Sequence, residues 1–208
     1  MVSKPIIIIG NGGHAKVVYE VLQLMGRKVL GFTAPEPSVS PFSLPYLGDD
    51  NAVLKYNVDE IELALGVGSI GVLNTRESLF NSFKKLGYTY VTLIHPTAII
   101  SPTVKLGEGV QIMAGVIIQS MSQIADNTII NTGSIIEHDC IIAEHVHVAP
   151  GCKIAGQVHI GSHCHIGIGS TIIQGITIGS SSLIGAGAVV IRPVDYYKKI
   201  VGVPGREV

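Results

Sequence analysis

The sequence predicts two domains of different class. Residues 1–90 read as an α/β domain with a Rossmann-like βαβ unit, and residues 91–208 as an all-β domain, a parallel β-helix of hexapeptide repeats with a C-terminal cap. The second half carries the stronger signal. An aliphatic residue stands at every sixth position from Ile94 through Ile100, Leu106, Ile112 and so on to Val190, seventeen in unbroken succession. A period of six matches neither a helix at 3.6 nor a simple strand at 2, and fits hexapeptide coils with one short strand per flat face. The first half shows a buried apolar run, Pro5–Gly10, leading through a glycine-rich turn into an amphipathic stretch.

Taken in order, Pro5–Gly10 (PIIIIG) is the first strand, Gly10-Asn11-Gly12-Gly13-His14-Ala15 the turn, and Lys16–Met25 a helix closed by Gly26. Lys28–Phe32 follows as a second strand, completing strand, glycine turn, helix, strand. Pro35, Pro37, Pro41 and Pro45 mark a connector. Ile61–Val67 is a third strand and Leu73–Leu86 a second helix ended by Gly87. Tyr88–Leu93 runs directly into the first hexad, so no flexible linker is expected between the domains.

Within the hexads, the residue four places after each aliphatic is small or β-branched in most cases, as at Ser122, Thr128, Ser134, Cys140, Val146 and Cys152. A narrow three-sided prism needs this pairing of one large and one small inward side chain. Three hexads make one coil, so residues eighteen apart stack along the axis. Cys140, Cys152 and Cys164 all take the small inward position and are expected to be buried core thiols, not ligands or disulfides. After Val190 the repeat is abandoned, and Val194–Val203 is expected to cap the last coil.

Composition excludes several classes. Charged residues make up 14% and hydrophobic residues 47% of the 208, with no tryptophan and a net charge of −1. That balance offers no electrostatic footing for nucleic acid or a membrane surface. No apolar run is long enough to span a bilayer, and Ile6–Ile9 is a strand, not a signal peptide, so a cytoplasmic protein is expected.

Gly10-x-Gly12-x-x-Ala15 has the spacing of a phosphate-binding turn between strand and helix. A nucleotide or nucleotide-sugar diphosphate is the expected ligand, against the alternative of a tight turn needed only for packing. A nicotinamide cofactor is not expected. The acid that would hold a ribose at the end of the second strand is absent, Thr33-Ala34 standing there, and the domain is too short for two mononucleotide-binding halves. His14, at the turn, could donate to a phosphate or merely cap the turn.

Six of the eight histidines fall between His138 and His165: His138, His145, His147, His159, His163 and His165. Their phases put none in the core. His147 should stack on His165, and His145 on His163. His159, His163 and His165 read as polar surface positions. His138 lies in Glu137-His138-Asp139, where a carboxylate can fix the tautomer of a general base. Zinc held by outward histidines of adjacent subunits, as in γ-class carbonic anhydrases, is the alternative from another reaction class.

Together these residues resemble the bacterial nucleotide-sugar acetyltransferases of the hexapeptide-repeat superfamily. The subgroup is the one that acetylates UDP-linked 4-amino-4,6-dideoxy sugars toward diacetylbacillosamine, with sialic acid O-acetyltransferases as near relatives. The resemblance rests on IIIIGNGGHAKVV, LIHPTAIISPTV, NTGSIIEHDCIIAEHVHVAPG and the closing VGVPG. It implies a left-handed β-helix, a homotrimer with active sites between subunits, and acetyl-CoA as co-substrate with no metal required. It also implies that His138 is the catalytic base and Asp139 the acid that raises its basicity. His147 would touch the thioester region, and Ile168 and Ala186 would border the pantetheine arm. Gly12, Gly13 and His14 match the turn that binds the nucleotide diphosphate. Two departures stand out: Ala186 replaces a glycine, and Thr33-Ala34 stands where an Asp pair is common, which leaves UDP, dTDP, GDP and CMP all open. The implied reaction is direct attack of the sugar amine on the thioester, with O-acetylation of sialic acid or another sugar as the alternative.

Overall fold

The computed structural model describes residues 3–37, 43–69 and 75–208, which fall into two compact units, one within Met1–Ser69 and Asn74–Pro96, the other within Thr97–Val208. The first unit is a four-stranded parallel sheet. Its strands are β1 (Ile6–Ile9), β2 (Val29–Thr33), β3 (Tyr46–Gly48) and β4 (Glu62–Leu65), in the spatial order β3-β2-β1-β4. Helix α1 (Gly13–Leu24) joins β1 to β2, and α2 (Thr75–Lys85) follows β4. All four residues of β1 are buried, as a central parallel strand covered on both faces requires. Val18, Val21 and Leu22 bury one face of α1, while Phe80 and Phe83 of α2 stack on Tyr90 and meet Tyr88 edge-on. Arg27 pairs with Glu62 across the sheet.

Three features of this unit differ from expectation. Helix α1 starts at Gly13, three residues early, so Gly12 is its N-cap and His14 lies in the first turn. The proline-marked connector contains β3 and a 3-10 helix, Asp50–Lys55, capped by the Asp49 side chain. Neither element has a hydrophobic period long enough to read. The second helix was expected to begin at Leu73, which lies outside the described residues.

The second unit is the β-helix. Its coils place two-residue strands on three faces. Face one carries Ile99–Ile100, Ile117–Ile118, Ile135–Ile136, Lys153–Ile154, Thr171–Ile172 and Val189–Val190. Face two carries Lys105–Leu106, Gln123–Ile124, Ile141–Ile142, His159–Ile160 and Thr177–Ile178. Face three includes Gln111–Ile112, Ile129–Ile130, His147–Val148, His165–Ile166 and Leu183–Ile184. All these pairings are parallel with an eighteen-residue register, such as Ile136 to Ile154 to Ile172. From Ile112 to Val190 the hexad aliphatics and the small residues between them, the three cysteines included, form one continuous buried core; Ile100 and Leu106 pack partly buried against it, and Ile94, the first of the series, is exposed.

Corners turn through residues of positive φ: glycines such as Gly133, Gly151 and Gly169, the residues Asn127, Asp139, His145 and His163, and also Met121, Gln157 and Ser181. Asn, Asp and His tolerate the left-handed region better than other side chains. That is a backbone reason for two of the surface histidines. Past Val190 the eighteen-residue register ends, as expected, and the tail caps the last coil: Lys199–Val201 pairs in parallel with Leu183–Ile184 at a sixteen-residue register, then Arg206–Glu207 folds back antiparallel. On face three the reversal leaves no further parallel edge to extend.

Candidate active site

In the first unit the groups converge on the carboxyl end of the sheet. Gly10 follows β1 at φ +101°, and a Cβ there would meet Val67 at 2.9 Å, so its glycine is demanded by packing. Gly12 and Gly13 differ. A Cβ on either would meet nothing within 4 Å, and no side chain caps the first turn of α1. Packing within the chain therefore does not explain these two glycines, which stand at the positive end of the helix. His14 packs over Gly68 of the loop after β4, whose Cβ position is 3.4 Å from that of His14. Arg76 of α2 steadies the same loop, donating from Nη1 to the carbonyls of Val67 at 2.7 Å and Leu65 at 3.3 Å. Burial lowers its pKa to about 9, which still leaves a cation at neutral pH at the end of β4.

In the second unit His138 stands at the edge between faces one and two. Asp139 takes the left-handed corner position at φ 59°, and its carboxylate Oδ2 lies 2.8 Å from His138 Nδ1. A donor Nδ1–H bonded to the carboxylate leaves Nε2 as the basic atom. Both side chains are about half exposed, 47% and 50%, so a substrate can reach them. The corner is fixed from inside: buried Ser122 donates to the Glu137 carbonyl at 2.8 Å and accepts from the Cys140 amide at 3.2 Å. Below the ring lies Gly156. A Cβ there would stand 2.6 Å from both Cε1 and Nε2 of His138, so the imidazole occupies the space where another side chain would begin. Gly156 was missed from sequence although it is eighteen residues after His138 and so stacks beneath it.

The other carried-over residues lie elsewhere in the chain. His147 is on face three, opposite the edge that bears His138, paired in register with His165. It is buried, 3.3 Å from the Asn131 amide nitrogen, with the two imidazoles edge to face at 5.1 Å. Burial lowers the pKa of His165, whose Nδ1 has no hydrogen-bond partner among the described residues. The expected stacks of His147 on His165 and His145 on His163 are both present, the second with centroids 5.2 Å apart. Ile168 and Ala186 are exposed on the edge between faces three and one, where the Gly187 amide donates to the Ile168 carbonyl at 2.8 Å. One chain thus groups His147, Ile168 and Ala186 on one side of the prism, and His138 with Asp139 on another.

Along face one, beside the His138 edge, runs an apolar groove of about 390 Å³ whose lining includes Ile135, Glu137, Ile154, Ala155 and Ile173. The three cysteines are buried, and burial pushes the Cys164 thiol up to about 11, so none is poised as a nucleophile. Among the described residues of this one chain, no group of three or more His, Cys, Asp or Glu side chains is placed to hold a metal ion. Nor is any described helix long and apolar enough to cross a membrane.

Comparison with known proteins agrees with both units. The PglD N-terminal domain family matches residues 5–83, bacterial transferase hexapeptide (six repeats) residues 121–156, and the hexapeptide repeat of succinyl-transferase residues 157–192. The chain is 34% identical over 115 residues to UDP-N-acetylbacillosamine N-acetyltransferase of Bacillus subtilis (strain 168), a match that spans 53% of this chain and about half, 52%, of that relative. Among solved structures, a histidine-to-alanine mutant of GDP-perosamine N-acetyl transferase from Caulobacter crescentus, in complex with CoA and GDP-perosamine, is 36% identical with a TM-score of 0.92. That similarity covers 100% of this chain and 98% of that one. The acetyltransferase domain of PglB from Neisseria gonorrhoeae, in complex with acetyl coenzyme A, is 29% identical with a TM-score of 0.94 and 100% coverage of both chains.

Proposed function

The chain belongs to the hexapeptide-repeat sugar N-acetyltransferases, and on that premise we propose that it moves the acetyl group of acetyl-CoA to the 4-amino group of a nucleotide-linked 4-amino-4,6-dideoxy sugar. The observation that carries the reading is the His138–Asp139 pair seated over Gly156 at an accessible edge. The neutral amine attacks the thioester carbon, the C–N bond forms, and the C–S bond breaks. Nε2 of His138 takes the proton leaving the nitrogen and can return it to the departing sulfur, while Asp139 steadies the imidazolium through Nδ1. Developing negative charge on the carbonyl oxygen needs a donor, a role for His147 or a corner amide. No acyl-enzyme is required, in keeping with buried cysteines.

The reading extends to assembly. His138 and the carried-over acetyl-CoA residues His147, Ile168 and Ala186 lie on different sides of one prism, so a shared site needs the edge of one copy against face three of the next. A homotrimer meets that requirement, and the apolar outward row Ile99, Ile117 and Ile135 on face one suits a covered surface. The groove beside His138 suits the apolar stretch of the pantetheine arm.

For the nucleotide, the Bacillus relative supports a UDP-linked substrate of the bacillosamine type, and the Caulobacter relative supports a GDP-linked one. Gly12, Gly13 and His14 are the residues assigned to the diphosphate. Steady-state kinetics test the base. His138→Ala is expected to lower kcat by roughly 10²–10⁴-fold, the usual range for losing a general base, with both KM values little changed. Unchanged kcat would remove His138 from the mechanism.

A further inference from the structure

No acid stands at the end of β2, but one from elsewhere in the chain reaches it. In a βαβ nucleotide-binding unit, the carboxylate that engages the nucleoside stands at the carboxyl end of the second strand, beside the phosphate turn. Here that strand ends at Thr33, which is fully buried, pairs with Ile9 of β1, and accepts the Gly10 amide on its carbonyl at 2.9 Å. Thr33 therefore touches the start of the glycine turn. Its hydroxyl donates to Oδ1 of Asp50 at 2.6 Å. Asp50 reaches this point because β3 pairs with β2, Gly48 lying opposite Thr33, and the chain turns at once into the 3-10 helix.

The neighbouring acid has a different task. Asp49 caps that helix, accepting from the Asn51 amide at 3.1 Å and the Asn51 side chain at 3.2 Å. Asp50 caps nothing. One of its oxygens is oriented by Thr33, and the residue remains partly exposed. A half-buried carboxylate held by a buried hydroxyl at this edge is built to accept hydrogen bonds from a ligand at the turn.

We propose that Asp50 is the nucleoside-binding acid of this chain, accepting from the ribose hydroxyls of the nucleotide whose diphosphate lies at Gly12 and Gly13, with Thr33 as its positioning residue. The inference rests on the nucleotide-sugar reading above and adds the residue that selects a ribonucleotide. A vicinal diol offers two donors to one carboxylate, which a 2′-deoxyribose cannot.

The test is calorimetric binding of UDP and GDP, and of their 2′-deoxy counterparts, to wild type, Asp50→Asn and Thr33→Val. Asp50→Asn keeps the shape and removes the charge. It should weaken the better-bound ribonucleotide roughly tenfold or more, as expected when a charge-assisted hydrogen bond is lost, and abolish the preference for ribose over deoxyribose. Thr33→Val should weaken binding in the same direction but less. Wild type alone gives a second reading, since the 2′-deoxy compound must bind more weakly to it. Wild-type binding of UDP or GDP with equal affinity in Asp50→Asn would overturn the inference about Asp50. Absence of any nucleoside diphosphate binding to wild type would instead overturn the nucleotide reading on which it stands.

Discussion

A methyl group at residue 156 would stand 2.6 Å from two atoms of the His138 imidazole, so Gly156→Ala must displace the ring from its place beside Asp139. The expected result is a kcat loss approaching that of His138→Ala, with an unchanged melting temperature and unchanged KM for acetyl-CoA; kcat at the wild-type level would show that the ring has room elsewhere. Asp139→Asn separates charge from geometry, because Asn also tolerates φ near +60°. It should fold normally and lower kcat while shifting the pH profile, which a purely structural role would not do. His165 gives a stability signature. Its pKa is lowered by burial, so the unfolded chain takes up a proton that the native state resists. That contribution is intact above the unfolded value of about 6.5 and is lost as pH falls below it. Urea midpoints at pH 7.5 and 5.5 should therefore differ more for wild type than for His165→Phe. At this scale the His138–Asp139 pair was legible because the two are adjacent in sequence. Gly156 was legible only through the eighteen-residue stack, and Asp50 not at all, since the segment between Thr33 and Asp50 has no period to follow.

For elements, the hexad series predicted the β-helix because each hexad repeats one inward Ile, Leu or Val against one small residue, and the core from Ile112 onward follows that pattern. Ile154 is buried between Ile136 and Ile172, and Ile154→Ala should cost about 2–5 kcal/mol in urea unfolding from lost burial and the cavity left behind. The thiols make an independent check. Cys140, Cys152 and Cys164 all have pKa values raised by burial, so a disulfide reagent at pH 8 should label none of them until the protein unfolds. Rapid labelling of native protein would contradict the assignment of the small hexad position as inward. Outside the period the end of the repeat was legible but the individual strands were not: the tail strand pairs at a sixteen-residue register, and β3 is a three-residue strand fixed by its partner, not by its own pattern.

At the scale of the molecule, the separation of His138 from His147, Ile168 and Ala186 within one prism is the ground for the proposal that the active site is shared between copies. Sedimentation should therefore give three times the 21.9 kDa chain mass. Mixing inactive His138→Ala with inactive Ile168→Trp after unfolding and refolding should recover part of the activity, since some interfaces then combine two intact surfaces. No recovery would place both groups in one chain's site. The substrate was the least legible feature, because no motif marks the nucleotide, and Asp50, the proposed nucleoside-binding acid, comes to Thr33 only through β2 and β3 pairing. The most direct test of the central claim is CoA-thiol release from acetyl-CoA across UDP-, GDP- and dTDP-linked 4-amino sugars, with sialic acid included, in wild type and His138→Ala. Fast release with one nucleotide-linked amino sugar, lost in His138→Ala, is the expected result. Release with sialic acid alone, or with none of them, would contradict N-acetylation and point respectively to O-acetylation or to a different chemistry at the histidines.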